Sequence, residues 1–248
     1  MKLGGHISIS DVASVNIFSN SKPPLKTKKY IDSLKLEWYE DTFDLSEFKK
    51  DEKQAEWLEY LEPHVNLKTL KIMNYLGVRF VGWVGASSFT KLKILSLQSC
   101  KNCNKLPRLG QLPSLEELKI CRMDGVQHWP FMSSVKEMEL DYSGVPDVSN
   151  FHSLTNLTIA FMSQEYKSVH LSQKVLPSLK TLGIHDSEEL RVVTGLKNLT
   201  SLNSLIIEAC PNLEFKGLPA TLKQVKFNRC PLFEKGFKEQ QHMRNVLV

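Results

Sequence analysis

Two short clusters in this chain of 248 residues contain residue types suited to chemistry. Cys100-Lys101-Asn102-Cys103 has the spacing of half a zinc site or of a redox dithiol. A structural zinc ion needs four ligands, usually two such pairs or one pair with two histidines, and no second pair is present. His185-Asp186-Ser187 offers a base, an acid and a nucleophile, but neighbours on one strand and its turn cannot converge on one another as a triad must. These three read instead as exposed polar residues closing a strand, and Glu116-Glu117 and Glu188-Glu189 read as solvated charge. No Gly-x-x-x-x-Gly-Lys-Ser/Thr phosphate loop occurs. The sequons Asn156-Leu157-Thr158 and Asn198-Leu199-Thr200 each enclose a core-type leucine, so their asparagines read as repeat positions. The expectation is no catalytic residue, no metal site and no cofactor.

The elements beneath these clusters repeat. Leu92-x-x-Leu95-x-Leu97-x-x-Cys100 is the cleanest copy, and others begin at Ile31, Leu67, Leu115, Val135, Leu154, Leu179, Leu202 and Leu222, with a degenerate one around Ile7 and Ile9. Successive well-formed starts lie 36, 25, 23, 20, 19, 25, 23 and 20 residues apart. The Leu-x-Leu pair alternates as a short strand does, with the leucine-type positions inward and the residues between them outward. A ladder recurring every roughly 20–29 residues marks a leucine-rich-repeat solenoid. The fold class is therefore α/β: a horseshoe with a parallel β-sheet on the concave face, and mostly irregular loops and short helical turns on the convex face. Cys100, Cys210 and Cys230 share one register, three residues past the Leu-x-Leu, which explains three of the five cysteines as buried free thiols. That pattern favours a reducing compartment, cytoplasmic or nuclear.

Lys and Arg exceed Asp and Glu by 32 − 27 = 5, a mild and unclustered surplus that does not fit a nucleic-acid binder. No signal-length apolar segment opens the chain, and no apolar run reaches the roughly 18 residues of a membrane span. Residues 1–248 read as one repeat domain of about ten copies, because each copy buries its apolar face only on its neighbours. The returns are short and rich in Pro and Gly, as in Leu106-Pro107-Arg108-Leu109-Gly110-Gln111-Leu112-Pro113, which argues against long convex helices. The longest interval holds a loop-helix insertion at 39–62. Its acidic part, Tyr39-Glu40-Asp41-Thr42-Phe43-Asp44, reads as a loop, and Lys53–Leu61 as a helix with Ala55, Leu58 and Leu61 on its apolar stripe. Asn20–Pro24 is a second loop, and Lys238–Arg244 is a charged tail that either caps the last copy or frays.

Because the ladder assigns its leucines to the core, recognition falls to the outward positions. One outward column is Lys35, Lys71, Ser96, Lys119, Glu139, Thr158, Gly183, Ile206 and Lys226. The preceding column is Ser33, Thr69, Ile94, Glu117, Glu137, Asn156, Thr181, Ser204 and Gln224. Just past the strands come Trp38, Asn74, Arg122, Tyr142, Phe161 and Asp186. The candidate partner-binding set on the concave face is Trp38, Lys71, Lys119, Arg122, Glu137, Glu139, Tyr142, Phe161 and His185. Its aromatics are of the kind that dominates protein–protein hot spots.

The wording of two stretches adds a resemblance. Leu61–Gly77 with Phe80 and Trp83, and Cys100–Leu115 with the following Met123-x-Gly125-Val126, resemble plant intracellular immune receptors of the nucleotide-binding leucine-rich-repeat class. The Leu106-Pro107-x-Leu109-Gly110-Gln111-Leu112-Pro113-x-Leu115 run is characteristic of coiled-coil-type members, including those of cereals. The chain departs at Phe80-Val81-Gly82-Trp83, where the family often has Phe-Pro-x-Trp, and in the degenerate copies at Val135 and Leu154. The resemblance implies the C-terminal repeat domain of a larger receptor, one that senses a pathogen or pest effector, or a guarded host protein, and restrains the parent nucleotide-binding domain. As an isolated domain it is expected to be a non-enzymatic monomer with protein partners, no nucleic acid and no membrane. The substrate-recognition repeats of a ubiquitin-ligase adaptor are the alternative, although the helical F-box motif that precedes such repeats is missing here. An extracellular receptor would spell Leu-x-Gly-x-Ile-Pro, and no copy does.

Overall fold

Each of the ten ladder copies ends in a β-strand. The computed structural model describes residues 5–12, 25–38, 51–123, 125–126, 129–141, 151–161, 167–171, 174, 176–214 and 216–246. The chain divides into two compact units, Met1–Val135 and Lys136–Val248. The first contains β1 (Gly5–Ser10), β2 (Ile31–Glu37), α1 (Asp51–Tyr60), β3 (Thr69–Met73), β4 (Ile94–Gln98) and β5 (Glu117–Cys121). The second contains β6 (Glu137–Asp141), β7 (Asn156–Ala160), β8 (Ser168–His170), β9 (Thr181–His185), β10 (Val192–Thr194), β11 (Ser204–Glu208), β12 (Gln224–Asn228) and α2 (Pro231–Val246). Within each unit the coils stack into a parallel sheet, β1-β2-β3-β4-β5 in the first and β6-β7-β9-β11-β12 in the second. This is the stacked-coil architecture of a leucine-rich-repeat solenoid.

Register follows the ladder residue for residue. Leu34, Leu70, Leu95 and Leu118 pair across β2 to β5, as do Leu36, Ile72, Leu97 and Ile120. All eight are at most 1% exposed. In the second unit Met138, Leu157, Leu182, Leu205 and Val225 form the matching row. A shift by one residue would turn every leucine to water, so the apolar alternation alone is enough to set this register.

Eight of the ten ladder strands, β1, β3, β4, β5, β7, β9, β11 and β12, stop by the same device. Asp11, Asn74, Ser99, Arg122, Phe161, Asp186, Ala209 and Arg229 all have positive φ, between 45° and 56°, although none is glycine. They sit at one repeat position, two residues after the last core residue of the strand. The turn lets the backbone N–H reach the neighbouring coil: Asn74 donates to Gln98 O (2.9 Å), Ser99 to Cys121 O (2.8 Å), Phe161 to His185 O (3.0 Å) and Asp186 to Glu208 O (2.9 Å). A left-handed residue costs roughly 1–2 kcal/mol, so each turn is held against its own preference by the stack.

The next ladder position then points inward. Cys100 donates its thiol to Gln98 O (3.4 Å) and Ile72 O (3.9 Å), Cys210 to Glu208 O (3.3 Å) and Ile184 O (3.8 Å), and Cys230 to Asn228 O (3.1 Å) and Ile207 O (3.5 Å). Ser187, at the same register, donates to His185 O at 2.9 Å. Cys121 and Cys103 are also buried and outside any disulfide, so all five cysteines are core residues.

The returns differ from expectation in two places. Helix α1 buries Gln54, Trp57 and Leu58, and Leu61 just past its end continues the i, i+3, i+4, i+7 stripe, while Ala55 is only half-buried. The large Trp57 side chain recentres the stripe; the acidic loop over residues 39–44 and the 20–24 loop lie outside the described residues. In the second unit the returns include strand, not only loops and turns: β8 and β10 pair in parallel, with Val169 and Val193 buried. The β-branched pair Val192-Val193 is the sequence signal for this small sheet. At the end of the stack, α2 is a helix whose Phe233 is buried and whose Phe233 and Phe237 rings lie 5.9 and 5.6 Å from Phe227. Apolar anchoring, rather than the charged residues after it, covers β12.

Candidate partner-binding face

The outward residues of each sheet form the columns that the ladder implies. In the first unit Lys35, Lys71, Ser96 and Lys119 pair in register, beside Ser33, Thr69, Ile94 and Glu117. Ion pairs run along the strands: Lys35 Nζ lies 2.8 Å from Glu37 Oε2, and Lys119 Nζ 3.5 Å from Glu117 Oε1. Lys71, exposed between Lys35 and Ser96, has no carboxylate partner among the described residues. It is the cation of this face most available to an incoming acidic group, since surface pairs already formed contribute little more than about 1 kcal/mol.

In the second unit Glu137 and Glu139 open the columns, followed across the sheet by Asn156 and Thr158, Thr181 and Gly183, Ser204 and Ile206, and Gln224 and Lys226. Glu137 is exposed and Glu139 half-buried. His185 lies over this face: its Nδ1 is 3.5 Å from Glu208 Oε2, and its Nε2 is 2.8 Å from where a Cβ on Gly183 would stand. Gly183 is what leaves room for the imidazole, so His185, Thr158 and Glu208 group into a small polar platform. Arg122 and Phe161 project from the left-handed turns, Phe161 with 39% of its surface exposed.

Trp38 does not belong to the face. It occupies the position of the left-handed turns, but its φ is not positive, and its side chain enters the interior with no exposed surface. Its ring meets Tyr75 edge-on at a centroid distance of 5.0 Å. Tyr142 lies outside the described residues. Asp186 projects from its turn, but Ser187 is fully buried, not exposed as the sequence suggested, because the ladder gives it the cysteine register. Its hydroxyl is engaged by the His185 carbonyl, so it does not face the imidazole as a nucleophile would.

Ser99, Ala209 and Arg229 are further turn residues on this rim that sequence columns passed over; their common spacing from the Leu-x-Leu pair was the available signal. Among the described residues no group of three or more His, Cys, Asp or Glu is arranged to hold a metal ion, and no helix is long and apolar enough to cross a membrane.

Fold and face together define a leucine-rich-repeat binding module. Residues 1–123 match the family model described as R13L1/DRL21 leucine-rich repeats. The chain is 30% identical over 238 residues to disease resistance protein RGA2 of Solanum bulbocastanum, covering 93% of this chain and 23% of that protein. It is 26% identical over 231 residues to putative disease resistance protein RGA4 of the same species, covering 84% of this chain and 22% of that protein. The chain belongs to the leucine-rich-repeat regions of plant disease resistance proteins, and spans less than a quarter of these curated relatives.

Proposed function

We propose that this region recognises a protein through the outward face of its strands, as the sensing element of a resistance receptor. The partner is a pathogen or pest effector or a guarded host protein, and in the absence of that partner the same region restrains the parent nucleotide-binding domain. The receptor acts in the cytoplasm, with access to the nucleus. Supporting this is one observation above all: residues in strict register, not required by the core, present a basic column in the first unit and an acidic pair in the second. Repeats keep such positions free for recognition. The names of the relatives supply the disease-resistance setting.

The test is charge reversal in the full-length receptor. Glu137→Lys with Glu139→Lys should abolish effector-dependent cell death or release it without effector, while the thermal midpoint of the isolated region stays unchanged. Wild-type signalling from that receptor, together with wild-type signalling from Lys71→Glu, would remove this face from the recognition surface.

A further inference from the structure

Two return segments of the first unit enclose a hollow. Residues of Arg79–Ser87 and of Lys105–Gln111 line a cavity of about 520 Å³ in the first unit, away from the strand face. Three cations, Arg79, Lys105 and Arg108, line it with Gln111 and Phe80, and no Asp or Glu is among its described lining residues. None of the three cationic side chains has an ion pair or hydrogen bond among the described residues.

The walls are pinned. The Tyr75 hydroxyl donates to Arg79 O at 3.1 Å, and its ring stacks on Phe80 at 5.6 Å. The Trp83 indole N–H donates to Leu58 O at 2.9 Å. On the other wall Pro107, Leu109 and Leu112 are buried. The two backbones touch at Gly85, where a Cβ would lie 2.6 Å from Arg108 N, so no larger residue fits without moving a wall. Arg79, Lys105 and Arg108 are solvent-exposed cations around one hollow that no carboxylate lines, so an entering anion meets charge-assisted donors, paired on each guanidinium. The volume is that of a small-molecule site.

We propose that this cavity binds a small anion carrying two or more phosphate groups. Three cations facing one hollow match a compact polyanion better than an extended acidic peptide, whose charges would be spread along a groove. The proposal is independent of the partner-binding face.

Pyrophosphate titrated calorimetrically into the chain at low salt should bind saturably at one site, and more weakly as salt rises. Arg79→Gln and Arg108→Gln should each weaken binding by about tenfold, the loss of one charge-assisted contact, while Lys197→Gln in the second unit leaves it unchanged. Circular dichroism confirms that the variants are folded. If either variant unfolds, the wild-type chain supplies the readout: pyrophosphate should raise its thermal midpoint more than sulfate or chloride at equal ionic strength. Absence of saturable binding, wild-type affinity in both variants, or no excess thermal shift overturns the proposal.

Discussion

The two units use one ladder and finish it differently. In the first, returns are held by aromatics: Trp38 against Tyr75, Tyr75 against Phe80, and Trp83 against Phe89 at 6.0 Å with its N–H on Leu58 O. In the second, returns are partly strand, and the last coil is closed by Phe233 and Phe237 of α2. The sheets are interchangeable in kind, whereas the returns are not. Repetition standardises the core, and departures from it are where a unit acquires its own anchors, cavities and caps.

The largest effects should come from those anchors. Trp83→Ala removes a buried indole and leaves the Leu58 carbonyl without its donor, and should destabilise by about 3–5 kcal/mol in urea unfolding. Phe233→Ala should cost less, because it packs on β12, the least buried strand of its unit. Equal losses would mean that the cap is as integral as the aromatic returns.

A smaller effect distinguishes core thiols from reactive ones. Burial, only partly offset by backbone hydrogen bonds, pushes the Cys100 thiol up to about 12, and burial likewise raises Cys210 to about 12. The folded state therefore favours the protonated thiol. This contribution is complete below the ordinary thiol value of about 8.5 and is lost as pH rises from there toward 12. Urea midpoints should fall above about pH 8.5, and less steeply in Cys100→Ala. Rapid native-state alkylation of Cys100 at pH 8 would contradict its placement.

The smallest effect tests the turns. Ser99→Val forces a β-branched residue to a φ of 53° and should cost roughly 1–2 kcal/mol, whereas Ser99→Gly should cost less or stabilise. The same pair of substitutions at Ala209, φ 50°, should behave alike if the two units share one turn.

Much of this was legible in the ladder. Leucine spacing located the ten ladder strands, their register and the outward columns, because period-2 alternation leaves one way to bury the leucines. The regular placement of Cys100, Cys210 and Cys230 already marked them as core. Trp38 shows the limit: its column position was right and its direction wrong, since direction depended on whether the backbone there adopts the left-handed turn, and at Trp38 it does not. Ser187 shows the reverse, a residue misjudged by its chemistry and explained by its register. The pairing of β8 with β10 and the Phe227–Phe233–Phe237 cluster join segments whose proximity no local period encodes.

The sequence by itself thus determined the repeat, the faces and the kind of protein, because those follow from local periodicity and repeat wording. Only the tertiary structure decided which turn residues are left-handed, where Trp38 points, and that Arg79, Lys105 and Arg108 line one hollow. Those outcomes depend on contacts between coils about 25 residues apart, and the packing of one coil on the next settles them.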